Sequence, residues 1–432
     1  MFGKQIASLQ RKVLLKKVMA PSPSLYRVVI PGLLGNVLEW YDFALYGYFA
    51  AILTPLFFPN KDTTLALITT FSVFAIGFLV RPIGAVVFGY IGDRFGRKQA
   101  LSSAIILMAI PTTLIGLLPT YQQIGILAPI FLIVCRLLQG LAVGGEFTGS
   151  MVYLLEHAPD SKRGFYGALA MASAFCGLLL GAVAATIVEF FSVIWIWRIP
   201  FLLSILLGGL GLYLRIRMPE SPIFEQLKKN HQVTTNPFKD IFRAHSLLIL
   251  KGMALVILPS TAFYLTFLYL ATYLNYFLTV SLPHAMIINT LTLAVLIIAC
   301  PLIGLLADKI GKWQVLMVGA VSFLFLSIPL YLLLKEGSTD AIFVSQTIFA
   351  FMVALSYAVI PAILLELFPI AFRYTGLSLS YNLANAFFGG TSAAVATSLI
   401  HATGILYMPG IYLTLIAMVT FVTLLLLKHD LE

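Results

Sequence analysis

Long apolar runs separated by short charged segments dominate the chain. The first six runs lie near 26–54, 65–91, 100–118, 124–154, 164–190 and 198–216. A second six lie near 247–278, 284–307, 313–334, 341–366, 374–401 and 407–427. Most approach or exceed the roughly 20 residues that cross a bilayer as a helix. Unbroken runs, rather than short alternating segments, predict helices, because each helix satisfies its own backbone in lipid. The pattern therefore predicts an all-α membrane protein of twelve transmembrane helices in two six-helix bundles. The one long polar segment, 217–246, carries Arg217, Glu220, Glu225, Lys228, Lys229, Lys239, Asp240 and Arg243 and is expected to link them. The expected units are a tail over 1–25, a bundle over 26–216, the linker over 217–246 and a bundle over 247–428.

The polar punctuation repeats. Gly89-Tyr-Ile-Gly92-Asp93-Arg94-Phe95-Gly96-Arg97-Lys98 returns, reduced, as Gly304-Leu-Leu-Ala307-Asp308-Lys309-Ile310-Gly311-Lys312, an offset of 215 positions. Glu156, Pro159 and Arg163 return as Glu366, Pro369 and Arg373, an offset of 210. Charged turns at a near-constant offset are the mark of an internal duplication. The second copy has Ala307 where the first has Gly92.

Composition sharpens this reading. Hydrophobic residues make up 60% of the chain and charged residues 10%, against about 45–50% and 25% in soluble domains. The net charge of +10 reads as topology rather than nucleic-acid binding, because Lys and Arg collect in alternate loops. The N-terminus, both charged turns, the 155–163 loop, the linker and Arg373 fall on one side, which should be the cytoplasm. The opposite loops hold little beyond Lys61 and Lys335. Both termini are then expected to be cytoplasmic. Cys135, Cys176 and Cys300 lie in apolar runs, without a disulfide framework or metal-ligand spacing. The sequence carries no phosphate-binding loop, nucleophile motif or metal cluster, so an enzyme is not expected.

The architecture and the charged turns resemble the major facilitator superfamily over residues 26–428. Within it, five further stretches are similar to the metabolite:proton symporter family, which includes proline/betaine, 2-oxoglutarate, citrate and shikimate transporters. They are Gly35-Asn36-Val-Leu-Glu39-Trp40-Tyr41-Asp42-Phe43; Arg81-Pro82-Ile-Gly84; Arg136-Leu-Leu-Gln139-Gly140-Leu-Ala-Val-Gly144-Gly145-Glu146; Trp197-Arg198-Ile-Pro200-Phe201; and Arg217-Met-Pro219-Glu220-Ser221-Pro222. The resemblance implies two bundles rocking around a central site lined by spans one, four, seven and ten. It gives Gly89, Gly92, Asp93, Arg94, Gly96, Arg97, Asp308 and Gly311 a gating role. Osmosensing members of the proline/betaine type can carry a long C-terminal coiled coil, and the present sequence stops at Glu432, just past its last span.

Ionisable side chains inside spans are functional candidates by default. Glu39 and Asp42 lie three apart on the first span and share a face. In a partly dry cavity they repel one another, which favours a proton on one of them; either is a candidate carrier of a coupled proton. The competing reading pairs them with arginines for assembly. Arg136, Gln139, Glu146 and Ser150 share a broad face of the fourth span. Arg136 suits a substrate carboxylate, since a guanidinium holds one bidentately, or an ion pair with Glu39 or Asp42. Tyr269 and Tyr273 on the seventh span suit a quaternary ammonium by cation–π attraction, although packing is the commoner role of such rings.

Without an ATPase motif, transport must draw on a gradient, and the resemblance implies protons; no cofactor is expected. The expected function is proton-coupled symport of a small zwitterion of the proline/betaine type by alternating access, in a bacterial inner membrane, with a monomer sufficient. Symport of a di- or tricarboxylate such as 2-oxoglutarate or citrate is the rival. A non-transporting substrate sensor and a channel are further alternatives.

Overall fold

The computed structural model describes residues 26–59, 63–189, 195–234 and 237–431. The tail expected over 1–25, and Lys61, lie outside the described residues. Twelve helices among the described residues are long and apolar enough to cross a membrane. The first six are α1 (Arg27–Tyr48), α2 (Ile76–Arg94), α3 (Arg97–Leu117), α4 (Leu127–His157), α5 (Asp160–Val188) and α6 (Arg198–Ile216). The second six are α7 (Ser246–Leu278), α8 (Leu282–Ile310), α9 (Lys312–Leu334), α10 (Thr339–Leu367), α11 (Ile370–Thr403) and α12 (Met408–Leu427). The first apolar run is divided: Phe49 separates the helix ending at Tyr48 from a short one over Ala50–Phe57. Inside the linker, Pro222–Lys229 forms a short helix capped by the Ser221 hydroxyl, which accepts from the Phe224 N–H.

In the first bundle α1 packs on α5, α2 on α4, and α3 on α4 and α6. In the second, α7 packs on α11, α9 on α12, and α8 on α10. The bundles meet along two seams, α5 against α8 and α2 against α11. Small residues set these distances, as expected where dispersion rather than the hydrophobic effect joins helices. A Cβ on Gly84 would stand 2.1 Å from the Leu141 carbonyl oxygen, and one on Gly144 2.2 Å from that of Arg81, so α2 and α4 cross almost backbone to backbone.

Both α7 and α11 contain a π-helical turn, over Tyr264–Tyr269 and Asn385–Gly389. Each widens its helix and leaves carbonyls in need of donors. In α7 these come from neighbours: Gln346 donates to the Thr266 carbonyl at 3.2 Å and Asn289 to that of Phe267 at 3.1 Å.

Candidate functional site

The duplicated turns are built alike. Gly96 and Gly311, both at positive φ (116° and 106°), end α2 and α8 and start the next helix. Such backbone is nearly closed to other residues, which explains why glycine recurs at both. One turn upstream, the Asp93 carboxylate accepts from the N–H groups of Tyr374 (3.2 Å) and Thr375 (2.9 Å) and from the Thr375 hydroxyl (2.8 Å). Asp308 accepts from the N–H groups of Gly164 (2.7 Å) and Phe165 (2.9 Å). Each half's aspartate thus sits on the N-terminal turn of a helix in the other half, where free N–H groups and the helix dipole favour an anion.

The supporting ion pairs also repeat, in different surroundings. Arg97 holds Glu156 through Nε (3.0 Å) and Nη2 (3.1 Å) in a fully buried pair, with Arg373 from across the seam at 3.7 Å. Its counterpart Lys312–Glu366 stays partly exposed. Glu220 accepts from the Arg97 and Lys98 N–H groups, and Ser221 donates to Glu156, so the linker's first residues complete the buried cluster. Arg94 lies outside it, exposed, with its guanidinium over the rings of Tyr90 and Phe95.

Tyr374 accounts for the one difference between the turns. Its ring fills the space a Cβ on Gly92 would need (1.9 Å to Cδ1), its hydroxyl reaches the space at Gly149 (1.8 Å), and that hydroxyl donates to the Gly145 carbonyl at 2.9 Å. In the other seam the corresponding helix start carries Gly164, and Ala307 fits.

Further into the membrane, α1 and α4 hold two separate polar networks. Glu39 and Asp42 are both buried, but the helical twist sends them to different neighbours. Asp42 accepts from the Ser204 hydroxyl at 2.6 Å on α6, and Thr112 of α3 lies against it. Gln139 donates to Thr112 at 2.7 Å, and Arg136 donates to Gln139 at 2.8 Å while lying over the rings of Phe43 and Tyr46. Arg136 and Asp42 are therefore linked through two intervening side chains. Glu39 instead faces Glu146, Arg215 and Arg81. Glu146 pairs with Arg215 at 2.8 Å, both fully buried. The carboxylate oxygens of Glu39 have no well-formed hydrogen bond among the described residues. Its acidic neighbour is Glu146, not Asp42 as the spacing on α1 suggested.

A central cavity lies between the bundles beside this second network. It is lined by Trp40 and Phe147 from the first bundle, and by Tyr264, Tyr357, Tyr381 and Asn385 among others from the second. It is small, about 10 Å³ of space open to the centre of a water molecule, or room for about one water. Of the residues singled out in the sequence for substrate contact, Arg136, Gln139, Glu146, Tyr269 and Tyr273 do not line it. Tyr269 bonds with Thr397 and Tyr273 with the Leu406 carbonyl. The cavity's own aromatic set, and the buried cations Arg81 and Arg215, were not marked as binding residues by sequence patterns. The block that contains Trp40 was the one usable signal.

Comparison with known proteins places this arrangement. The family of sugar (and other) transporters matches residues 28–241 and again 223–430. The glycine betaine/proline/ectoine/pipecolic acid transporter OusA of Dickeya dadantii is 34% identical over 419 residues, covering 94% of this chain and 83% of its own. The proline/betaine transporter of Escherichia coli is 33% identical over 416 residues, covering 92% and 82%. Among solved structures, the proton:xylose symporter XylE bound to 6-bromo-6-deoxy-D-glucose superposes with a TM-score of 0.77 at 18% identity, covering 94% of this chain and 96% of that one. That likeness establishes the fold. The chain is a multi-pass membrane protein and belongs to the sugar (and other) transporter family, within the major facilitator superfamily.

Proposed function

We propose that this chain is a proton-coupled symporter of small zwitterions of the proline and glycine betaine type, working by alternating access. The observation that carries the reading is similarity over almost the whole chain to transporters named for those substrates. The aromatic cavity supports it, since rings attract quaternary and secondary ammonium groups while a di- or tricarboxylate would need several cations there. The cavity must widen to admit such a molecule, as rocking of the two bundles would allow.

Glu39 is the favoured proton carrier because it is buried without a well-formed hydrogen bond among the described residues; Asp42 is the second candidate. In this reading Arg136 and Gln139 act through Asp42, and Glu146 through Arg215 and Glu39. Gly89, Gly92, Asp93, Gly96, Arg97, Asp308 and Gly311 hold the seams closed on the charged-turn side. That side is the cytoplasmic face of the inner membrane, with both termini on it. The units are the bundles 26–216 and 247–428 joined by the linker 217–246, and one monomer suffices.

Uptake into proteoliposomes under an imposed inward proton gradient tests the reading. Labelled glycine betaine or proline is expected to accumulate and to leak away on adding a protonophore. Glu39→Gln is expected to abolish accumulation while leaving exchange of labelled for unlabelled substrate. Accumulation of 2-oxoglutarate instead, or uptake that never exceeds equilibrium, would overturn it.

A further inference from the structure

Arg81 of α2 is fully buried in the middle of the protein, between the two bundles. Its Nε donates to Asn382 Oδ1 at 3.0 Å, a contact across the seam to α11. Its Nη1 and Nη2 have no well-formed hydrogen bond among the described residues. Among the described residues no ion pair neutralises it within contact distance, although Glu39 lies close enough to feel its charge. A buried guanidinium left in this state is costly, so the position calls for an anion that comes and goes.

The surroundings indicate which anion. The guanidinium carbon lies 5.6 Å from the ring centroid of Trp40 and 5.5 Å from that of Phe78. The Tyr264 phenol lies against it without a well-formed hydrogen bond, and Tyr381 is within its field. Trp40, Tyr264 and Tyr381 are also walls of the central cavity. Arg81 is not itself a wall of the cavity; it lies against the outer side of Trp40 and Tyr264, and its two unbonded nitrogens would meet a ligand as the cavity widens. A free edge of a guanidinium matches a carboxylate bidentately, and the cage matches a cation. Together they match a molecule with both charges a few bonds apart.

We infer that Arg81 is the carboxylate anchor of the central cavity, holding a zwitterionic substrate through Nη1 and Nη2 while its cationic end lies among Trp40, Tyr264, Tyr357 and Tyr381. The inference rests on the proposed transport of zwitterions. It also gives Glu39 a reason to take a proton: a substrate carboxylate at Arg81 removes the positive charge Glu39 otherwise faces there. Glu146 and Arg215, the other charged groups facing Glu39, are already paired with each other. The proton ends on a Glu39 carboxylate oxygen; the zwitterion itself brings no net charge, so the loaded site carries one positive charge more than the empty one.

The test uses the full-length protein and two probes that share a trimethylammonium group, glycine betaine with a carboxylate and choline without. The wild type is expected to prefer glycine betaine. Arg81→Gln is expected to weaken glycine betaine binding by about 30-fold or more and to leave choline binding within a few-fold, so that the preference is lost. Should Arg81→Gln fail to show a thermal transition, Arg81→Lys, which keeps the charge but loses the planar fork, carries the same readout. An undiminished preference for glycine betaine in the folded variant overturns the inference and leaves the transport reading standing. Equal binding of both probes by the wild type overturns it as well. If the wild type binds neither glycine betaine nor proline, the transport reading falls and the inference with it.

Discussion

Gly35 shows how little freedom a single position has in this interior. A Cβ there would stand 1.8 Å from Arg215 Nη2, the nitrogen that pairs with Glu146 at 2.8 Å. Gly35→Ala must therefore push the guanidinium away and leave Glu146 without its partner. Breaking a buried pair from one side costs about 3–5 kcal/mol. The variant is expected to unfold several degrees below the wild type in detergent, and Gly35→Ala with Glu146→Gln to recover part of the loss. An unchanged midpoint for the single variant would mean that Arg215 has another place to go. Arg215 itself was hidden in the sequence. It lies just before the polar linker and beside Arg217, where a long basic side chain is expected to snorkel to the interface. Only the fold shows it turning inward to meet an acid on α4. Arg81 stood out only as part of the stretch Arg81-Pro82-Ile-Gly84, which says nothing of its depth; close packing of α2 on α4 and α11 buries it completely.

At the scale of elements, what was legible is what local geometry demands. The two charged turns stood out because Gly96 and Gly311 must take positive φ and because each aspartate has a helix start to meet. Span positions were legible because the bilayer requires a continuous apolar run. The cavity lining was not: its walls come from α1, α4, α5, α7, α10 and α11, and the polar residues that stand out on α1 and α4 are taken up by networks beside the cavity rather than by its walls. The π turn in α7 further separates Tyr264, which lines the cavity, from Tyr269 and Tyr273, which do not. The difference between Ala307 and Gly92, visible in the sequence without a reason, is a matter of fit. Gly92→Ala is expected to expel the Tyr374 ring and weaken the α2–α11 seam, lowering thermal stability by an overpacking cost of about 1–3 kcal/mol. Gly92→Ala with Tyr374→Ala is expected to recover most of it. Additive losses in the double variant would show that the two side chains do not share that space.

For the whole molecule, the two seams are closed by the same device with unequal reinforcement. Asp93 bonds to two N–H groups and a hydroxyl and adjoins the buried Arg97–Glu156 pair. Asp308 bonds to two N–H groups, and the nearby Lys312–Glu366 pair is partly exposed and so worth less. Asp93→Ala is expected to open the charged-turn side more than Asp308→Ala. Spin-label distances across the seams, with one label on each bundle, measure this. Equal widening in the two variants would mean that the aspartates alone set the closure and the ion pairs add nothing. The number of spans and the twofold repeat were legible at this scale, since duplication leaves matched offsets in the chain. Which helix of one half meets which turn of the other was not, because no local feature records the pairing.

The fit of Tyr374 against Gly92, and of Gly164 against Ala307, bears on descent. Two copies of the first half, brought together as a symmetric dimer, would set Gly92 opposite Gly164 and leave a hole at each seam. Two copies of the second would drive Tyr374 into Ala307. Only the unlike halves close. A symmetric pair of like halves would need some other complement at this spot.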